Sequence, residues 1–119
     1  MKHPDCIFYQ IIARKAPADI LYRDQQVTAF RDTRPLAPVH ILVVPNRHFD
    51  GLPDVPAEEA PLLGHMMTVA ARLAEAQGIR ESGYRLMLNT GPDAGQTVFH
   101  LHLHVLGGRR LPMRFEQPQ

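Results

Sequence analysis

Residues 99–105 read Phe-His-Leu-His-Leu-His-Val, an unbroken alternation of apolar and imidazole side chains. A period of two is the strand period, because successive side chains leave a pleated backbone on opposite faces. The segment predicts a strand from Phe99 to Leu106, with Phe99, Leu101, Leu103 and Val105 toward a core and His100, His102 and His104 on the other face. Neighbouring histidines on that face would have Cα atoms roughly 6–7 Å apart. Desolvation opposes charging them, and as like charges they resist being protonated together. A row of this kind marks a functional site rather than a structural histidine.

The rest of the chain supplies partners for that strand. Asp5 is the expected cap of a short helix over residues 6–14, in which Ile7, Phe8, Ile11 and Ile12 fall at helical spacing. Strands are expected at 19–23 and 26–31, joined by the turn Arg23-Asp24-Gln25, and at His40–Val44, a run short and apolar enough to be buried on both faces. From residue 58 to Gln77 the period becomes helical: Leu62, Met66, Val69, Leu73 and Ala76 form one stripe, with Leu63, Met67, Ala70 and Ala74 beside it. Gly78 suits the residue after that helix. A strand from Gly83 to Asn89 and the histidine strand follow, separated by a glycine-rich loop. The expectation is an α+β fold with a largely antiparallel five-stranded sheet, one short and one long helix, and one domain over residues 1–119 whose last stretch, 109–119, is a less regular tail.

Composition closes off several function classes. A net charge of +1 with scattered Lys and Arg gives no footprint for nucleic acid, and the local excess Arg109, Arg110 and Arg114 reads as a solvated tail. No apolar run is long enough to span a membrane, and the N-terminus lacks the apolar stretch of a signal peptide. With Cys6 as the single cysteine there is no intrachain disulfide, so a reducing, cytoplasmic setting is expected.

Two chemistries suit three imidazoles in register. They could hold a transition metal, or one could attack an electrophile while its neighbours orient it and neutralise developing charge. The preceding loop favours attack at phosphorus, since Gly91, Gly95, Gln96 and Thr97 could bring backbone N–H groups and a hydroxyl to an anion. No obvious carboxylate stands beside the histidines as the base that a zinc-bound water would need.

The run His100-Leu101-His102-Leu103-His104-Val105-Leu106 resembles the signature of the histidine-triad (HIT) family, and Gly107-Gly108-Arg109 is similar to its Hint-like branch. The likeness extends over Cys6-Ile7-Phe8, Ala29 to Asp32, Pro38 to Pro45, the Leu62–Leu73 helix and Asn89 to Gly108. It implies hydrolysis of a nucleoside 5′-phosphoramidate, purine preferred, through a nucleotidyl group on His102. It also implies that the carbonyl of His100 holds the His102 tautomer, that His104 meets a phosphate oxygen, that His40 supports the triad, and that Thr97, at a position commonly serine, assists the leaving group. Asp32 would accept from both ribose hydroxyls; Ile7, Phe8, Phe30 and Leu42 would form the base slot. Asn89, Gly95, Gln96 and Val98 would complete the nucleotide site.

The chain departs from the family pattern twice. Some relatives open with Cys-x-x-Cys and bind zinc with two further histidines, matching His48 and His100, but here Tyr9 stands in the second cysteine position. Four-coordinate structural zinc then lacks a ligand, so no metal and no cofactor are expected, although Cys6, His48 and His100 remain. The tail has Pro112 and Phe115 but no tryptophan, which loosens any inference about the leaving group. A homodimer is expected, because the two apolar stripes of the long helix exceed what one small sheet face needs. Alternatives are a dinucleoside polyphosphate or nucleotidyl-ester hydrolase, a non-catalytic purine-nucleotide-binding regulator, and a zinc enzyme. Neither His3 nor His65 has an assignable role.

Overall fold

A computed structural model of the chain describes residues 5–112. His3, Arg114 and most of the tail lie outside them. The described elements are α1 (Ile7–Ile12), β1 (Ile20–Arg23), β2 (Val27–Arg31), β3 (Val39–Pro45), α2 (Ala60–Ala76), β4 (Tyr84–Met87) and β5 (Leu103–Gly107). Single 3-10 turns cover Leu52–Asp54, Ala57–Glu59 and Pro92–Ala94. The sheet runs β1-β2-β3-β5-β4, every neighbouring pair antiparallel, which is the α+β architecture read from the sequence.

Residue parity sorts the two faces of this sheet. Val27 and Ala29 of β2, Ile41 and Val43 of β3, and Leu103 and Val105 of β5 share one core with Leu62, Met66, Val69, Ala70, Leu73 and Ala74 of α2. Each of the Val, Leu, Ile and Met side chains among them contributes roughly 1.5–3 kcal/mol when fully buried. On the opposite face Phe30, Leu42 and Val44 pack with Phe8 and Ile11 of α1. β3 is therefore covered on both faces, as its continuous apolar run requires. His40 and His104 share the α1 face, in which the long helix takes no part.

Several local expectations shift. Cys6 rather than Asp5 caps α1: its Sγ accepts the Tyr9 amide at 3.4 Å, and the helix is six residues long. Pro61 sits in the first turn of α2, which begins at Ala60 behind a 3-10 turn instead of at 58. Ala76 is exposed, and of the second stripe Met67 is 56% exposed while Ala70 and Ala74 are buried.

The largest change concerns the histidine strand. Ladder pairing starts only at Leu103, so His100 and His102 precede β5. A bend at 98–100 turns the chain, and the Leu101 amide donates to the Phe49 carbonyl at 2.7 Å instead of to a neighbouring strand. Leu101 still points into the α2 core, so the alternation survives without the ladder. Phe99 does not: it is 48% exposed, placed beyond the bend that would have carried it into the core.

Candidate active site

β3 and β5 build the centre of the site by register. Leu42 pairs with His104 and His40 with Leu106, so His40 and His104 are diagonal neighbours on one sheet face. Their rings meet, His40 Nε2 lying 2.9 Å from His104 Nδ1. The other nitrogen of His40, Nδ1, accepts the Leu36 amide N–H at 3.0 Å. A nitrogen that accepts carries no proton, so neutral His40 holds its hydrogen on Nε2 and donates it to His104. His104 Nδ1 is then an acceptor, and its own hydrogen sits on Nε2.

His102 is fixed differently. Its Nδ1 lies 2.8 Å from the His100 carbonyl oxygen, an interaction possible only with hydrogen on Nδ1, which leaves a lone pair on Nε2. Phe8 packs edge-on against the His102 ring at 5.1 Å between centroids, and His104 does so at 4.9 Å. Burial pushes His102 below the ordinary imidazole value, although the His100 carbonyl and the Asp32 charge pull upward. Burial, joined by the charges of His102 and His40, takes His104 down to about 4. Burial lowers His40 as well, with Asp32 opposing and His102 adding to the effect. All three are neutral rings near pH 7.

A cavity of about 480 Å³ opens over these rings. His40, His102, His104, Thr97 and Asp32 line it together with the apolar Ile7, Phe8, Phe30, Leu42 and Val98. Asp32 accepts the Arg34 amide through Oδ1 at 2.9 Å, its Oδ2 is 3.4 Å from His40 Nε2, and its side chain is 22% exposed, so carboxylate lone pairs remain for a ligand. Ile11, Pro17, Ala18, Arg31, Thr33, Arg34 and Leu36 also line the cavity, beyond the residues the resemblance implies. Ile11 was findable, since it lies one helical turn beyond Ile7. Arg31 ends β2, and the rest reach the cavity through loop packing.

The glycine-rich loop does not cradle the cavity as expected. Gly91 and Gly95 take positive φ of 84° and 91°, which closes the segment on itself. The Gly95 amide donates to Pro92 and the Gln96 amide to Gly91, each at 3.0 Å. Buried Gln96 accepts the Gly91 amide at 2.8 Å and donates to the Asp50 and Val98 carbonyls. Gly95 and Gln96 thus shape the loop that presents Thr97 and Val98, and neither lines the cavity; Asn89, half-buried, does not line it either.

His100 faces away from the cavity. It is fully buried, and its Nε2–H donates to the Pro45 carbonyl at 2.9 Å, so Nδ1 is the nitrogen that meets Cys6 Sγ, 3.4 Å away. Ligand atoms of Cys6, His48 and His100 lie within 4.8 Å of one another. Among the described His, Cys, Asp and Glu residues this set closes at three, one short of structural zinc. Asp32, His40 and His104 form a second such group. There the Leu36 amide works against a metal, because the His40 nitrogen that would ligate is the one carrying the proton.

His65, without a role in the sequence reading, lies outside the site and donates to Asp24 Oδ2 at 2.6 Å. Asp24 also accepts from the Tyr22 hydroxyl and from the Gln26 and Val27 amides. This carboxylate ties the β1–β2 turn to α2.

Comparison with known proteins assigns the chain to a family. The HIT domain model matches residues 13–111. The purine nucleoside phosphoramidase of Escherichia coli K12 is 53% identical over 107 residues, covering 90% of each chain. A histidine triad protein from Clostridium difficile superposes with a TM-score of 0.93 at 42% identity, covering 97% of this chain and 100% of that one. A HIT family hydrolase from Legionella pneumophila does so with a TM-score of 0.88 at 41% identity, covering 91% and 96%. The family model covers most of the chain and the sequence relatives agree with it: the chain belongs to the HIT domain family.

Proposed function

We propose that this protein hydrolyses purine nucleoside 5′-phosphoramidates through a nucleotidyl group carried on His102, and that it does so as a homodimer. The observation that carries the reading is the His102 Nδ1–H bond to the His100 carbonyl, which leaves the Nε2 lone pair of a cavity-lining ring free for attack beside an apolar wall. The similarity to a purine nucleoside phosphoramidase supports the substrate class.

In the first step His102 Nε2 attacks the α-phosphorus and the P–N bond to the amine breaks. The departing nitrogen takes a proton relayed from solvent by the hydroxyl of Thr97, an exposed residue that lines the cavity. His104 donates its Nε2–H to a phosphoryl oxygen as charge builds there. In the second step water attacks phosphorus, the P–Nε2 bond breaks, and the water's proton balances the one given to the amine. The base lies among Ile7, Phe8, Phe30 and Leu42, and Asp32 accepts from the ribose hydroxyls. No step passes through a metal. Among the described residues no helix is long and apolar enough to cross a membrane. The exposed Met67 of α2 and the open edge of β4 supply a surface for a second copy.

The deciding experiment is steady-state turnover of a fluorogenic adenosine 5′-phosphoramidate, with acid-quench trapping of labelled nucleotide on His102. Absence of both turnover and label would overturn the reading.

A further inference from the structure

Arg109 was expected to belong to a solvated tail, yet its guanidinium is engaged. Nη2 donates to the Leu36 carbonyl at 3.1 Å and Nη1 to the Arg110 carbonyl at 2.9 Å. Leu36 is therefore held at both ends of its backbone, its carbonyl by Arg109 and its amide by His40 Nδ1. It needs holding: Leu36 is 63% exposed and sits between Pro35 and Pro38 in a loop with no ladder bonds of its own. The end of β5 is shaped to deliver the arginine. Gly108 adopts φ +93°, and a Cβ there would come within 2.9 Å of Pro38, so only glycine lets the chain pass this close to the loop.

These contacts form one directed series. Arg109 fixes the Leu36 peptide; the Leu36 N–H occupies His40 Nδ1; His40 Nε2–H occupies His104 Nδ1; and His104 is left with hydrogen on Nε2, facing the cavity. If Leu36 swings away, His40 Nδ1 loses its donor. The ring can then move its hydrogen to Nδ1, and His104 is free to become an Nδ1–H ring that offers a lone pair where a donor is needed.

We propose that Arg109 is a positioning residue for the phosphoryl-transfer site: by anchoring the Leu36 peptide it selects the His40 tautomer and so makes His104 a hydrogen-bond donor to the phosphoryl oxygen. The proposal rests on the reaction assigned to His102 for its catalytic consequence, but not for the tautomers themselves. Arg109 does not line the cavity, so it acts through others and leaves ligand contacts intact.

The test combines long-range proton–nitrogen NMR of the histidine rings in the ligand-free protein, near neutral pH, with phosphoramidate kinetics. In the unaltered protein both His40 and His104 should be Nε2–H tautomers. Arg109→Ala should shift His40 toward a mixture and lower kcat roughly three- to tenfold, the range one hydrogen bond spans, with KM within about twofold. Arg109→Lys, which retains a donor, should recover much of both. Finding His104 as an Nδ1–H ring in the unaltered protein overturns the proposal. So does an Arg109→Ala variant whose thermal midpoint and kcat fall while the ring tautomers stay put, which would make Arg109 merely structural. A tautomer shift in a protein that never turns over phosphoramidate would refute the reaction and sustain the positioning role.

Discussion

His102 Nδ1 lies 2.8 Å from the carbonyl oxygen of His100, two residues earlier on the same segment, and that bond decides which nitrogen of His102 is nucleophilic. His102→Ala should therefore abolish both the burst and the steady state, while nucleotide affinity stays within about tenfold, or ~1.4 kcal/mol. Turnover retained within a small factor would refute the assignment. Because burial lowers the His102 value, the acid limb of kcat/KM should have its midpoint below about 6.5, the ordinary imidazole value.

Asp32 presents an acceptor-only carboxylate to the cavity. Asp32→Asn should weaken a ribonucleotide more than its 2′-deoxy counterpart, by on the order of 1.5–3 kcal/mol for hydrogen bonds to a charged group. Calorimetric titration of both ligands checks this. Equal losses would assign Asp32 to holding His40, from which its Oδ2 is 3.4 Å away, and not to the ribose.

Asp24 gives a pH-dependent stability prediction. Burial alone would raise its carboxyl, but hydrogen bonds from Tyr22, His65, Val27 and Gln26 outweigh it and hold the group well below the usual carboxylate range. A depressed folded value means that this stabilisation is complete above the unfolded value of about 4 and is lost as pH falls below it. Asp24→Asn should cost about 1–3 kcal/mol at neutral pH, and the gap to the unaltered protein should narrow as pH falls from about 4 toward 2. A gap that stays constant over that interval would contradict the account.

The three-ligand set Cys6, His48 and His100 should leave the purified protein with substoichiometric zinc, and activity should survive prolonged chelation. Chelator-sensitive turnover restored by zinc would refute the nucleophile mechanism. Stoichiometric zinc with chelator-resistant turnover would show only that three protein ligands suffice here.

Light scattering at micromolar concentration should give about twice the 13.4 kDa chain mass. Met67→Glu, which puts charge on the exposed part of α2, should shift the population toward monomer. A monomeric unaltered protein would remove the second copy from the proposal.

The sequence by itself determined what depends on short-range periodicity. The alternation from Leu101 to Val105 sorts Leu101, Leu103 and Val105 from His102 and His104 even though the ladder begins only at Leu103, because parity follows from backbone extension more than from strand pairing; it fails at Phe99, beyond the bend. The helical stripe of Leu62, Met66, Val69 and Leu73 was legible for the same reason. Only the tertiary structure decided which nitrogens carry hydrogen and which polar groups are spent. His40 meets His104 across 64 residues, Asp24 meets His65 across 41, and Cys6 meets His100 across 94. The side-chain amide of Gln96 is spent inside the loop, accepting from Gly91 and donating to Asp50 and Val98, which its place in a glycine-rich segment does not reveal. Residue type sets how many hydrogen bonds a side chain can make. The partners that a buried group must find are set by which distant backbone folding brings beside it.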